Sequence, residues 1–176
     1  MMAAMTWTAP SIDRIQNPAA VDERAMLEGW LAFHRQTLLW KCEGLTAEQL
    51  KLASVAPSSL TLLGLVRHMA EVERGWFRLM AAGEQVEPIY CTDEYPDGDF
   101  DLLDDADAEA DFATFHAEIA LADKAAEGRS LEQTFTTRRG RTLNLRWVYQ
   151  HMIEEYARHN GHADLIRERI DGATGD

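Results

Sequence analysis

The sequence predicts an all-α protein built as a four-helix bundle, with a short extra helix and a small hairpin. Apolar residues recur at spacings of three and four over four long stretches, which is the period of a helix that buries one face. Glycine or proline marks most ends of these stretches, and two of the connections are short while two are longer. Four amphipathic helices arranged in this way can enclose a common core.

The 176 residues fit one domain, and 46% hydrophobic with 27% charged residues is typical of a folded globule. We expect residues 1–176 to form a single domain with residues 1–20 as an N-terminal extension. The apolar runs are too short for a bilayer span and the first residues lack a signal-peptide pattern, so we expect a cytoplasmic protein. Cys42 and Cys91 are too few for a disulfide framework or a cysteine metal site.

The first half of the chain predicts two long helices with a short one between them. The first is expected over residues 21–42, with Gly44 just beyond its end. A short helix follows Thr46, which is a favourable N-cap residue. The second long helix covers residues 60–82 and ends at Gly83. Its apolar stripe consists of Leu62, Leu65, Met69, Val72, Trp76 and Met80.

The net charge of −13 is concentrated in one stretch. Residues 93–111 hold ten acids and no base, so the rest of the chain carries only −3. This balance opposes nucleic-acid binding, which depends on Lys and Arg contacts to phosphates. The stretch lies largely in the long connection between the second and third helices, at residues 84–104. We expect this connection to be a solvated loop, with a pocket lid or a repulsive guard against polyanions as alternatives.

The second half of the chain predicts two more helices separated by a hairpin. The third helix follows the acidic connection and ends near Glu127. Residues 134–144 alternate and turn as a hairpin does. Its basic tip is interpreted as a solvated turn or a partner of the acidic connection, with an anion contact as the alternative; it consists of Arg138, Arg139 and Arg141. The fourth helix is expected over residues 145–170, with Gly172 as its stop.

The fourth helix carries the clearest chemical signal. Its expected core stripe is Val148, His151 or Met152, Glu155, His159, His162 or Ala163, and Ile166. Up to four of these positions are ionisable, namely His151, Glu155, His159 and His162. Polar groups buried without partners cost free energy, so four on one stripe indicate a shared ligand or a polar network. Glu155 and His159 are one helical turn apart, and their side chains can therefore converge on one point.

The second helix offers a matching histidine, His68, on its own apolar stripe. One imidazole from this helix and the Glu155–His159 pair would give three ligands for a divalent metal, with open positions for water or substrate. Nitrogen and carboxylate ligands suit Zn, Ni, Fe and Mn alike.

Other readings of the same residues stay open at this point. His68 can be a core histidine bonded to a protein group. Glu155 and His159 can be a surface pair, and Glu154 competes for the inward position. A pocket lined by His151, His159 and His162 is the remaining alternative.

Three segments resemble the DinB-like superfamily, and more narrowly its DUF664 group: LLWKCEGLTAEQL, TLLGLVRHMAEVERGWF and LRWVYQHMIEEYARHNGHADLIRERIDGATGD. The resemblance implies a four-helix bundle with one divalent metal in a three-residue site. The commoner ligand set is three histidines, the last two four residues apart. Here Glu155 replaces the second, as in the branch that resembles mycothiol-dependent maleylpyruvate isomerase. The resemblance therefore implies His68, Glu155 and His159 as ligands, with zinc as the first expectation.

The resemblance also implies a function. Several relatives resemble S-transferases or isomerases in which a metal activates mycothiol or a similar thiol for reaction with a small electrophile. In that reaction His162 and His151 are candidates for proton transfer, and Tyr156 for a hydrogen bond to the reacting group. A non-catalytic metal-binding or small-ligand-binding protein, with a stress-related role, is the alternative. The resemblance further implies a homodimer.

Overall fold

The computed structural model describes residues 6–175. Their helices are α1 (Glu23–Cys42), α2 (Ala47–Leu50), α3 (Leu62–Glu73), which continues as a π-helical stretch (Arg74–Ala81), α4 (Gly98–Asp101), α5 (Ala108–Ala126) and α6 (Leu145–Asp171). The strands β1 (Thr134–Thr136) and β2 (Thr142–Asn144) form an antiparallel pair, in which Phe135 lies opposite Leu143. The described chain is therefore mostly helical, and the hairpin predicted over residues 134–144 is confirmed.

The helix ends follow from local side chains and from glycine. Side-chain oxygens of Asp22, Thr61 and Asn144 accept hydrogen bonds from backbone N–H groups in the first turns of α1, α3 and α6. The predicted short helix has a full capping box between Thr46 and Gln49. Gly172 ends α6 with a φ of 79°, a conformation that glycine adopts without steric cost.

The second long helix differs from the expectation of one continuous α-helix. From Arg74 to Ala81 its backbone is π-helical. The apolar stripe does not distinguish the two forms over so short a stretch, because two turns of a π-helix shift the buried face by only about two residues relative to an α-helix. Arg74 and Arg78 lie in this stretch and pair with buried Glu118 of α5 at 2.6 and 2.9 Å. These ion pairs fasten the stretch to α5.

The core lies among the long helices, with α1 packed along α6, and α3 with its π-helical stretch along α5. Its fully buried side chains include Leu38, Leu65, Met69, Phe115 and Met152. The segment before α1 also packs on this body, since Trp7 meets Phe112 edge-on at 5.4 Å between ring centroids. Among the described helices, none combines the length and apolarity that a membrane span requires.

The acidic connection is not simply the solvated loop that was expected. It contains α4, and Gly98 and Asp99 are buried. Arg67, a buried residue of α3, donates to the backbone oxygens of both residues and pairs with Asp111 at 3.2 Å. A buried guanidinium requires acceptors, and this part of the connection supplies them.

The buried face of α6 agrees with the expected stripe only in part: Val148, Met152, Ala163 and Ile166 lie on it, whereas Glu155 and His159 do not. The buried residues are Leu145, Val148, Tyr149, Met152, Tyr156, Asn160, Ala163 and Ile166. The four ionisable side chains predicted on the core stripe are instead half-buried along its edge, and they are His151, Glu155, His159 and His162. Polar side chains at the edge keep contact with solvent, which lowers the cost of burying them.

Candidate metal centre

Three side chains from two helices converge beside the core. His68 of α3 and Glu155 and His159 of α6 each offer one ligand atom, and these atoms all lie within 4.8 Å of one another. The imidazole centroids of His68 and His159 are 4.8 Å apart, and Glu155 Oε2 lies 3.4 Å from His159 Nε2. All three residues are half-buried. Because the group is only half-buried, a ligand can reach it from solvent. The two helices fix the positions of the three side chains.

Asp99 of α4 adds a carboxylate that the sequence analysis missed. Its Oδ2 lies 2.8 Å from Nδ1 of His68, and its side chain is almost fully buried. Burial acts to raise the pKa of this carboxyl, but hydrogen bonds from His68 and Cys91, with the charge of His68, outweigh it and hold the pKa below the usual range. A carboxylate that accepts the Nδ1 proton leaves Nε2 of His68 free to bind a metal.

His159 is also suited to metal binding, because its imidazole is held in the neutral form. Burial, together with the positive charges of the neighbouring His68, His162 and Arg158, lowers the pKa of its imidazole to about 4. The ring is therefore neutral at pH 7, which is the form that binds metals. Nδ1 of His162 lies 3.4 Å from Nδ1 of His159, so one of these nitrogens can donate to the other.

His151 lies on the other side of Glu155. Its Nε2 is 3.6 Å from Glu155 Oε1, and its Nδ1 is 3.5 Å from Glu154 Oε2. The ring stacks on Trp147 with 4.8 Å between centroids and an angle of 20°. Exposed Glu154, which competed for the inward position, also pairs with Arg158. His151 and His162 thus flank the three candidate ligands.

Tyr156 is placed elsewhere. It is fully buried, and its hydroxyl donates to Glu73 Oε1 at 2.8 Å. Glu73 in turn accepts two hydrogen bonds of 2.7 Å from the guanidinium of Arg35. Burial and the Glu73 charge raise the pKa of Tyr156 well above its ordinary value. The hydrogen bond expected from Tyr156 to a reacting group is therefore replaced by one inside a buried ionic network.

The donor set fits a divalent transition metal. It consists of two imidazoles and one carboxylate, and one imidazole is backed by a buried carboxylate as is usual for metal-bound histidine. Among the described residues neither cysteine belongs to this group of converging ligand atoms: Cys42 is buried, and Cys91 donates a hydrogen bond to Asp99. The set does not by itself choose among Zn, Ni, Fe and Mn.

The chain is thus a mostly helical protein with a half-buried His–Glu–His group that an aspartate supports. These features define a candidate metal-binding protein, in which a bound metal would keep positions for further ligands. A family model described as Mycothiol-S-transferase matches residues 26–172, and the chain belongs to this family, which is DinB-like. The matched range includes the three candidate ligands and Asp99. Searches of curated proteins and of solved structures gave no match.

Proposed function

We propose that this protein is a cytoplasmic metal-dependent S-transferase that joins mycothiol, or a similar low-molecular-weight thiol, to a small electrophile. The observation that carries the proposal is the convergence of His68, Glu155 and His159 within 4.8 Å. The family match supports the choice of thiol. We further propose a DinB-like four-helix bundle of the DUF664 group, formed by residues 1–176 as one domain, with zinc as the first metal to test.

A divalent metal bound by these three residues would lower the pKa of a coordinated thiol, so that its sulfur reacts as a thiolate. Asp99 keeps the His68 ring in one orientation by accepting a hydrogen bond from its Nδ1–H group. Because the pKa of His159 is low, its ring is already neutral at pH 7 and would not have to lose a proton in order to bind the metal.

The flanking histidines account for the thiol proton. His151 has one nitrogen 3.6 Å from Glu155, and His162 has one 3.4 Å from His159, so each can accept a proton released beside the ligand group. The sulfur then forms a bond to the electrophilic carbon while the leaving group departs with the bonding electrons. The histidine gives its proton to the leaving group or to water, which balances the reaction.

Metal analysis and a thiol-transfer assay test this function together. Purified protein, its His159→Ala variant and a His116→Ala control are analysed for metal by mass spectrometry; His116 is an exposed histidine on α5. We expect about one transition metal per chain in the wild type and control, and loss of the metal in His159→Ala. Absence of metal from all three after incubation with zinc or nickel would reject the proposal.

Turnover is then measured with mycothiol and monochlorobimane, which gives a fluorescent thioether and chloride. Metal-dependent product formation by the wild type and the control supports the S-transferase. Metal retention without thiol-dependent product, over a panel of electrophiles, would instead favour the non-catalytic metal-binding role.

We also propose that the chain forms a homodimer. Leu121 is a large exposed apolar residue of α5, and Val21 is another just before α1. Light scattering coupled to size exclusion measures the mass directly, and a monomer at micromolar concentration would reject the dimer.

A further inference from the structure

A cavity of about 530 Å³ lies beside the candidate metal centre. The π-helical stretch forms one wall with Trp76 and Met80, and the hairpin and the start of α6 form the others. The remaining lining residues are Thr137, Arg138, Arg139, Arg141, Leu143, Trp147 and His151. Cavities of this size commonly hold small molecules.

Aromatic rings form an apolar surface in this cavity. The centroids of Trp76 and Trp147 are 5.1 Å apart, and each lies 4.8 Å from the centroid of His151. Nε2 of His151 is 3.6 Å from Oε1 of Glu155, so the same histidine belongs to the cavity wall and to the edge of the candidate metal centre. A molecule packed on these rings would have one end close to the candidate ligands.

The hairpin places cations at this cavity in a protein of net charge −13. Elsewhere the chain pairs its buried arginines with carboxylates, as Arg35 does with Glu73 and Arg67 with Asp111. By contrast, within residues 6–175 the side chains of Arg138 and Arg139 form no hydrogen bond or ion pair. Pairing of these arginines with the acidic connection, one of the expectations from the sequence, is not among their contacts within the described residues.

Arg141 completes the cationic side of the cavity. Its guanidinium lies over the ring of Trp147, 5.5 Å from the centroid. This contact holds one guanidinium against the aromatic surface through a cation–π interaction. Its neighbours in the hairpin, Arg138 and Arg139, keep all their donors available for an incoming anion.

We propose that this cavity binds the electrophile of the S-transfer reaction and selects a planar apolar molecule that carries an anionic group, a carboxylate or a phosphate. The tryptophan faces receive the planar part, and the guanidinium groups of Arg138 and Arg139 bind the anion. The assignment of the bound molecule as the electrophile rests on the proposed function. The binding preference itself rests on the cavity and its charges.

Calorimetry with three probes of one shape tests the preference: 2-naphthoate, 2-naphthyl phosphate and neutral 2-naphthamide. At low ionic strength we expect at least one anion to bind about tenfold more tightly than the amide, because it gains a charge-assisted contact. The anion that binds more tightly identifies the preferred head group. Equal affinities for all three probes would overturn the proposal.

A double variant, Arg138→Gln/Arg139→Gln, tests the source of the preference. We expect it to weaken anion binding about tenfold and to leave amide binding unchanged. The matched control, Lys124→Gln/Arg169→Gln, removes two exposed positive charges elsewhere and should retain the preference. Anion binding that falls equally in both double variants would overturn the proposal, since it would reflect net charge alone.

Metal content and thermal melting are recorded for every sample, so the two proposals fail separately. A wild type that holds no metal but prefers the anions rejects the S-transferase and keeps the anion site. If the wild type holds metal and transfers thiol, but binds the amide with the same affinity as the anions, only the anion site is rejected. An unfolded double variant would show in its melting curve, and the single variant Arg139→Gln then replaces it.

Discussion

Nδ1 of His68 lies 2.8 Å from Oδ2 of Asp99, so a residue of the acidic connection orients one of the three candidate metal ligands. The contact joins α3 to α4, which are separated by more than twenty residues of chain. It gives the acidic connection a defined role: one of its carboxylates supports the site from behind. This relationship leads to the first two predictions.

Replacing Asp99 with Asn should weaken metal binding without removing a ligand. The amide keeps the size of the side chain but loses the charge that supports the His68 imidazole. We expect zinc affinity to fall about 10- to 100-fold, as for other carboxylates behind metal-bound histidines. Competition with a fluorescent zinc chelator measures it. Asp101→Asn, an exposed change in the same short helix, is the control, and equal affinities in the two variants would contradict the role of Asp99.

Gly98→Ala should disturb the same contact through the backbone. A Cβ at this position would collide with the carbonyl oxygen of Tyr90, so the segment that carries Asp99 must shift. We expect a loss of about 1–3 kcal/mol in the free energy of unfolding and about tenfold weaker zinc binding. Gly161→Ala on α6 is the control, because its Cβ would meet no atom within 4 Å. Unchanged zinc binding in Gly98→Ala would contradict this prediction, since zinc affinity would then not depend on the backbone at residue 98.

The stability of the metal-free protein should depend on pH through His159. Its pKa is about 4 in the folded protein against 6.5 ordinarily, so between these values the unfolded chain binds more protons. The free energy of unfolding should therefore fall as pH falls from 6.5 to 4, by up to about 3 kcal/mol from this residue. Urea unfolding of the wild type and of His159→Gln across this window isolates the effect. Parallel pH profiles for the two proteins would contradict it.

Tyr156→Phe should affect stability rather than metal binding. The hydroxyl donates to buried Glu73, and losing a hydrogen bond to a charged group should cost about 1–3 kcal/mol. Tyr149→Phe is the matched control, because its hydroxyl makes a longer bond of 3.3 Å to exposed Glu28 and should cost less. Urea unfolding and metal analysis measure the two effects. Loss of metal from a folded Tyr156→Phe variant would contradict this prediction, since it would show that Tyr156 contributes to metal binding.

Regular elements could be predicted where local sequence determines them. Periodicity and end signals located α1, α5 and α6, and the alternation around Gly140 located the hairpin. The i, i+4 spacing of Glu155 and His159 places both on one edge of a helix whatever its partners are. Their convergence with His68 was one of several readings of the residues, and the resemblance to a family singled it out, since spacing within one helix says nothing about its neighbour.

The remaining features depend on tertiary contacts. Asp99 is one of ten acids in residues 93–111, and only its burial near Arg67 and His68 distinguishes it from the solvated ones. Tyr156 follows Glu155 directly. An error of one residue in the predicted phase of α6 therefore moves Tyr156 from the core to the site. Its position is set by the buried Arg35–Glu73 pair, which no local pattern reveals.

The π-helical stretch has an evolutionary consequence. A π-helical turn holds about one residue more than an α-helical turn, because its hydrogen bonds join residues five apart instead of four. Removing one residue here would restore α-helical winding and rotate Trp76 and Met80 away from the hairpin, whereas His68 lies upstream and would stay in place. Loss of one codon here would thus alter the wall of the cavity and leave the three candidate metal ligands of this chain in place.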